Sequence, residues 1–180
     1  MKKRIHIKIS RLIRGYFKKK ILLNYGKGIL ADTKNGLFIV DPKDFTITKK
    51  LLKYGSYDWN EILLLRNYLN KDSTVIFVGC HIGTLLIPIA KLVKKVYGFE
   101  AKNIAIGEIE KKVNIVHNTI NTGNSSIALS IKKQDSLIDM KKLDGIVSDE
   151  EIDMIIMDIE GYEVNAIQGA STVLKRTKYF

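Results

Sequence analysis

Residues 75–100, VIFVGCHIGTLLIPIAKLVKKVYGFE, decide the fold of this chain. Val75–Val78 is a short apolar run that ends in glycine, as is typical of a strand buried on both faces of a parallel sheet. Leu85 to Lys95 predicts a helix, and Pro88 falls in its first turn, where proline is tolerated. Val96–Phe99 predicts a second buried strand. The order of strand, glycine turn, helix and strand indicates half of a nucleoside-binding α/β unit.

The turn after the first strand has glycine at positions 79 and 83. A dinucleotide-binding turn would need glycine at 79, 81 and 84, and His81 and Thr84 depart from that pattern. A bulky residue at 81 hinders the close approach of a pyrophosphate, which disfavours NAD and FAD. A nucleoside ligand without a pyrophosphate, such as S-adenosylmethionine, needs only the tight turn. The residues predicted to bind it here are Val78, Gly79, Cys80, His81, Ile82 and Gly83.

Glu100 follows the second strand, 21 residues after Gly79. A carboxylate at the end of the adjacent strand can accept the hydroxyl protons of a ribose, and the usual spacing is about 20 residues. A surface glutamate at a strand end is the alternative, but the strand–helix–strand pattern favours the ribose role. We place Glu100 and the adjacent Ala101 in the predicted cofactor site.

Asp158 and Glu160 end the strongest late strand, predicted over residues 152–159. Alternate positions on a strand point to one side, and ligands of open α/β sheets bind at the carboxyl edge. These carboxylates are candidates to orient a substrate hydroxyl, to accept its proton, or to hold a metal with other ligands. The alternative is a helix N-cap with favourable charge at the helix start, and both roles can hold at once.

His117 is a candidate general base near neutral pH, with a solvated loop histidine as the alternative. The three histidines, His6, His81 and His117, show no metal-ligand spacing, so we expect no metal site. Cys80 is the single cysteine, which excludes an internal disulfide and a cysteine-built zinc site.

Three stretches resemble the FkbM family of S-adenosylmethionine-dependent methyltransferases. They are VIFVGCHIGTLLIPIAKLVKKVYGFEA from residue 75, NIAIGEIEKKVNIVHNTINTGNSSI from residue 103 and IDMIIMDIEGYEVNAIQGA from residue 152. The last is the most specific, because the family has a hydrophobic strand, Asp-x-Glu-Gly, a further glutamate and a Gly-Ala helix end. The matching residues are Asp158, Glu160, Gly161, Glu163, Gly169 and Ala170.

The resemblance implies a Rossmann-like class I methyltransferase fold, which is α/β with a mostly parallel sheet and flanking helices. It also implies S-adenosylmethionine-dependent O-methylation of a hydroxyl on a sugar, lipid or secondary metabolite. Phe77 stands where the family usually has an acidic residue, and His81 stands where it often has Asn.

Only Ala101 and Lys102 separate Glu100 from a strand at 103–106, whereas a parallel crossover needs a dozen or more residues. These two strands therefore cannot be parallel neighbours. We expect a reduced domain, without the helix after Glu100 and without the C-terminal strands. The alternative function is a non-catalytic remnant that acts as a binding or membrane-associated module.

Basic charge is concentrated in residues 1–20, which hold nine Lys and Arg and no acidic residue, against 21 basic and 19 acidic residues elsewhere. Apolar residues recur there at helical spacing, which predicts a basic amphipathic helix, although Ile5, Ile7 and Ile9 also alternate as in a strand. Such a helix can pack on its own domain, lie on an anionic membrane or bind nucleic acid. The near-neutral remainder makes nucleic acid the weakest of the three.

We divide the chain into the arm, residues 1–22, an N-terminal region, 23–71, and a methyltransferase-like domain, 72–180. The N-terminal region contains a β-hairpin around Asn35-Gly36 and two helices, near 43–53 and 58–70. The longest apolar runs are far too short to cross a membrane, and we expect no signal peptide. We expect a cytoplasmic location, or a peripheral one at the inner membrane face if the arm binds lipid. The expected partner is a small-molecule, glycan or lipid acceptor.

Overall fold

The computed structural model describes residues 27–44, 46–116, 126–128, 137–147 and 149–180. The chain divides into two compact units between Tyr57 and Asp58. The predicted basic helix of the arm lies outside the described residues.

The first unit begins with the predicted β-hairpin. Strands β1 (Ile29–Thr33) and β2 (Gly36–Val40) pair antiparallel, with Thr33 opposite Gly36. The hairpin is therefore confirmed, but its two central turn residues are Lys34 and Asn35. The positive φ of +140° falls on Gly36, at the start of the second strand.

Asn35 has a role that the turn pattern does not reveal. Its side chain is fully buried, its Nδ2 donates to the Tyr57 carbonyl over 2.7 Å, and its Oδ1 accepts from the Tyr57 N–H over 2.9 Å. A buried amide that makes both bonds avoids the cost of unsatisfied polar atoms. Asn35 therefore ties the hairpin turn to the end of the first unit.

Helix α1 (Ile47–Tyr54) follows the hairpin and buries Ile47 and Leu51. It begins later than predicted because the buried carboxylate of Asp44 accepts the N–H groups of Thr46 and Thr48, over 2.8 and 3.0 Å. These bonds satisfy donors that a helix start leaves free.

A four-stranded parallel sheet forms the centre of the second unit. Its strands are β3 (Thr74–Val78), β4 (Lys95–Phe99), β9 (Ile152–Met157) and β10 (Thr177–Tyr179), in the order β10-β9-β3-β4. The predicted α/β class with a parallel sheet and flanking helices is confirmed at this level. Strand β10 was not predicted, and its pairing with β9 corrects the expectation that no core strand follows the last helix.

Helices cover both faces of this sheet, and strand β3 is buried along its whole length. Helices α2 (Trp59–Leu65) and α3 (Leu86–Ala90) lie on one face, and α4 (Glu163–Gln168) and α5 (Ser171–Lys175) lie on the other. Alternate residues of β3 serve the two faces, as the pleat requires. The first face contains Ile62, Val75, Phe77, Ile89 and Met154, and the second contains Ile76, Val78, Ile155, Ala166, Ala170 and Val173.

Helix α2 differs from its prediction in the unit that it belongs to and in its length. Ile62 packs against the parallel sheet, which places α2 in the second unit, whereas the sequence groups it with the hairpin. Asp58 occupies the N-cap position, but at φ +44° its side chain makes no capping hydrogen bond. The helix ends at Leu65, ahead of the predicted Asn70.

The predicted final helix, 163–174, is two helices. Gly169 separates α4 from α5, and a Cβ on this residue would lie 2.0 Å from the Gly107 carbonyl oxygen. This contact between distant parts of the chain requires glycine at the break. The third helix, α3, is also shorter than its predicted range, 85–95.

A second sheet has the order β5-β8-β6-β7. Its strands are β5 (Ile104–Ile106), β6 (Lys111–Val116), β7 (Ser126–Ala128) and β8 (Leu137–Lys141). Strand β5 pairs parallel with β8 and not with β4. This confirms that the short connection after Glu100 cannot make a parallel neighbour. In the part of the chain that the structure describes, no helix is long and apolar enough to span a bilayer.

Candidate active site

Three parallel strands end together at the edge that carries the predicted site residues. In the register, Val78 lies opposite both Phe99 and Met157. The residues that leave the sheet next are therefore Gly79, Glu100 and Asp158. The structure brings together three positions that are far apart in the sequence, at the edge where open α/β sheets bind ligands.

The first of these positions is a turn that only glycine can make. Gly79 has φ +87°, and a Cβ on it would lie 1.9 Å from the Asp158 carbonyl oxygen and 2.8 Å from its carbon. The Gly79 N–H donates to the Phe99 carbonyl over 2.8 Å, and the Asp158 N–H donates to the Val78 carbonyl over 2.9 Å. The turn is therefore bonded to the ends of both neighbouring strands.

Glu100 accepts a hydrogen bond from the glycine turn itself. The His81 N–H donates to Glu100 Oε2 over 2.6 Å. His81 has φ +48° and Gly83 has φ +86°, so the turn contains three left-handed residues in a span of five. The carboxylate of Glu100 is half-buried and lies against the turn, as a shared ligand site requires.

The remaining predicted cofactor residues lie around this bond. Val78 is buried in the core, while Cys80, Ile82 and Ala101 are half-buried. Burial raises the pKa of the Cys80 thiol, and the negative charge of Glu100 raises it further. This raised pKa disfavours the thiolate form of Cys80 and so a role as a nucleophile.

Asp158 and Glu160 lie on a turn and not on a strand. Strand β9 ends at Met157, and Glu160 has a left-handed φ of +53°. The strand alternation that placed Asp158 and Glu160 on one side does not extend to Glu160, because the chain has already left the sheet. Both side chains are exposed at the carboxyl edge.

Comparison with known protein families gives one match. Residues 98–179 match the methyltransferase FkbM domain. The resemblance to the FkbM family is thus confirmed over this range. No curated protein and no solved structure matches the chain.

The matched FkbM range contains Glu100 and the whole Asp158–Glu163 segment, and it ends within β10. The glycine turn precedes the match. Its link to the FkbM domain is therefore structural, through the His81–Glu100 hydrogen bond and the contact of Gly79 with Asp158.

Sequence reasoning left Glu163 out of the site, although it matches the FkbM motif. Its Oε1 accepts the N–H groups of Ile159 and Gly161, over 3.0 and 3.2 Å. Hydrogen bonds from its own N–H, followed by those from Gly161 and Ile159, lower the pKa of this carboxyl despite some burial. A glutamate shortly after a glycine turn, at a helix start, is the signal that could have found it.

Glu61 of helix α2 also belongs to the neighbourhood of the site. Burial raises the pKa of its carboxyl first, and the negative charges of Asp58 and Asp158 raise it further. Helix α2 therefore places acidic charge near the FkbM motif.

The remaining predictions concern His117 and a metal site. His117 lies outside the described residues and stays a prediction as a general base. Among the residues that the structure describes, no group of three or more His, Cys, Asp or Glu side chains is arranged to hold a metal ion.

Proposed function

We propose that this chain is an S-adenosylmethionine-dependent O-methyltransferase with a Rossmann-like class I fold. The acceptor that we propose is a hydroxyl of a sugar, lipid or secondary metabolite. The observation that carries the proposal is the direct bond between the His81 N–H of the glycine turn and the Glu100 carboxylate. It joins two cofactor-binding features that the sequence suggests separately.

The residues at this edge fit the cofactor. Gly79 brings the turn into contact with the Asp158 backbone, because a Cβ on it would lie 1.9 Å from the Asp158 carbonyl oxygen. Glu100 accepts one backbone N–H, and a carboxylate has enough lone pairs to accept ribose hydroxyls as well. The bulky His81 hinders the close approach of a pyrophosphate to the turn, which favours a nucleoside ligand without one.

Acidic charge on the same edge suits a cationic ligand. Asp158 and Glu160 are exposed there. Burial first, then the negative charges of Asp58 and Asp158, raise the pKa of Glu61. The bound cofactor supplies an electrophilic methyl group on a sulfonium. The protein's share is to hold both reactants in line, which can account for much of the rate acceleration.

Proton removal from the acceptor hydroxyl completes the proposed reaction. Asp158 and Glu160 are the candidates to orient that hydroxyl and to take its proton, and His117 is the third candidate. We propose a cytoplasmic location, with contact to the inner membrane face through residues 1–20 if the arm binds lipid.

Calorimetric titration of the full chain with S-adenosylmethionine tests the proposal. We expect saturable binding that is weakened at least about tenfold in Glu100→Gln, because the neutral amide is a poorer acceptor for two hydroxyls. Asp32→Asn, an exposed change in the first unit, is the matched control and should bind as the wild type does. A folded chain that shows no binding at millimolar ligand would favour the non-catalytic remnant.

A further inference from the structure

The segment from Asp158 to Gly161 has an unusual backbone. Glu160 has φ +53° and Gly161 has φ +93°, so two successive residues are left-handed. Glycine adopts this region freely, but glutamate does so only where its surroundings enforce it. Neighbouring groups of the protein must therefore hold Glu160 in this conformation.

The carboxylate of Glu163 is that restraint. A single oxygen, Oε1, accepts the N–H groups of Ile159 and Gly161, which lie on either side of Glu160. The Gly161 N–H belongs to the peptide that follows Glu160, and the Ile159 N–H belongs to the peptide between Asp158 and Ile159. Glu163 therefore restrains the backbone both before and after Glu160. The bond from the Asp158 N–H to the Val78 carbonyl fixes the other end of the segment to the sheet.

We propose that Glu163 is a positioning residue of the methyltransferase site. Its ionised carboxylate holds the Asp158–Gly161 turn in the one conformation that keeps Asp158 against Gly79 and presents Glu160 at the carboxyl edge. The proposal rests on the proposed function, because the turn matters to catalysis only if cofactor and acceptor bind at this edge. Glu163 itself touches neither reactant.

The chemistry of the bonds favours an ionised Glu163. Charge-assisted bonds from backbone N–H groups are stronger than neutral ones. They lower the pKa of the Glu163 carboxyl, so the restraint is present at neutral pH and is lost only as the pH falls through that lowered value. An amide at this position keeps an acceptor oxygen but loses the charge.

Three variants of the full chain separate the effect of side-chain length at position 163 from the effect of its charge. Glu163→Gln keeps the acceptor at the right distance without charge, Glu163→Asp keeps charge but is too short, and Glu163→Ala removes both. Alanine is a strong helix former, so Glu163→Ala leaves helix α4 itself intact. Gln168→Ala, an exposed change at the end of the same helix, is the control.

The first readout is hydrogen exchange at the amides of Ile159 and Gly161 in the absence of ligand. We expect exchange to accelerate about tenfold or more in Glu163→Ala, since loss of a bond to a charged group shifts a local opening equilibrium by that much. Glu163→Gln should recover only part of the protection, because its amide oxygen accepts the two N–H groups without a charge, and Glu163→Asp should recover little. Unchanged exchange in Glu163→Ala overturns the proposal.

The second readout is the dissociation constant for S-adenosylmethionine, with thermal melting as the check on folding. We expect Glu163→Ala to bind about tenfold more weakly and to melt a few degrees lower while staying folded at the assay temperature. Binding should be partly rescued in Glu163→Gln and not rescued in Glu163→Asp. If the wild type binds and Glu163→Ala binds equally well, the positioning role is wrong and the proposed function stands. If the wild type does not bind, the proposed function fails, and the positioning role fails with it whatever the exchange data show.

Discussion

Gly79→Ala tests whether the glycine turn and the Asp158 segment are in the contact that the structure shows. The new Cβ would lie 1.9 Å from the Asp158 carbonyl oxygen, and both atoms belong to the backbone. A side-chain rotation cannot relieve this overlap. The turn would have to move away from β9, or Asp158 would have to leave its bond to the Val78 carbonyl.

Gly79→Ala combines the cost of a left-handed backbone with the cost of a steric overlap. A left-handed conformation costs a non-glycine residue about 1–2 kcal/mol, and Gly79 has φ +87°. Overpacking typically costs about 1–3 kcal/mol more. We expect Gly79→Ala to lower the free energy of unfolding by about 2–5 kcal/mol, a large part of the stability of an ordinary domain.

Two matched variants in the same unit separate these costs. Gly161→Ala carries the φ cost alone, because φ is +93° and nothing lies within 4 Å of the new Cβ. Gly169→Ala carries the steric cost alone, because φ is −85° and the new Cβ lies 2.0 Å from the Gly107 carbonyl oxygen. We expect each to cost less than Gly79→Ala, at about 1–2 and about 1–3 kcal/mol respectively.

Urea denaturation followed by tryptophan fluorescence measures all three variants. Trp59 is the single tryptophan and packs against the core of the second unit, so its emission reports this unit. If Gly79→Ala costs no more than Gly161→Ala, the close contact between the glycine turn and Asp158 does not exist. The idea of one shared site at the carboxyl edge would then lose its structural basis.

Three further predictions concern single side chains. Glu160→Gly should raise the free energy of unfolding by about 0.5–1 kcal/mol in urea titrations. The cost of the left-handed backbone that glycine removes is larger than the stability lost to the greater entropy of the unfolded chain. A lower free energy of unfolding would contradict the reasoning. Cys80 should react with iodoacetamide at pH 8 more slowly than glutathione does, because burial and then the charge of Glu100 raise the pKa of its thiol. Glu100→Gln should speed this reaction. A wild-type rate equal to that of glutathione would refute the reasoning. Burial alone would raise the pKa of Asp144, but bonds from the first N–H groups of α5 lower it overall, so Asp144→Asn should cost about 1 kcal/mol at pH 7 in urea titrations. That difference should shrink as the pH falls through the lowered pKa of the wild-type carboxyl, and a difference that does not depend on pH would contradict the capping role.

The fold features that follow from local pattern were predictable from the sequence. The apolar run Val75–Val78 is typical of a strand buried on both faces, and the structure buries it completely. The hairpin was also predicted, but the buried role of Asn35 depends on Tyr57, which is far along the chain. Strand β10 was missed because three residues with a central lysine carry no alternating apolar signal.

The candidate site was predictable where a strand end fixes a position. Gly79, Glu100 and Asp158 meet because parallel strands share one carboxyl edge. Glu163 and Glu61 reach this region through a turn and through helix packing. Such contacts depend on the folded chain and are not encoded in sequence spacing.

Hydrogen exchange of the full chain with and without S-adenosylmethionine tests the central claim most directly. The account predicts that saturating ligand slows exchange together in residues 78–83, 99–104 and 157–163, and leaves the hairpin residues 29–40 unchanged. Protection of the glycine turn without protection near Glu100 and Asp158, or no protection in any of the three segments, would contradict a shared cofactor site at the carboxyl edge.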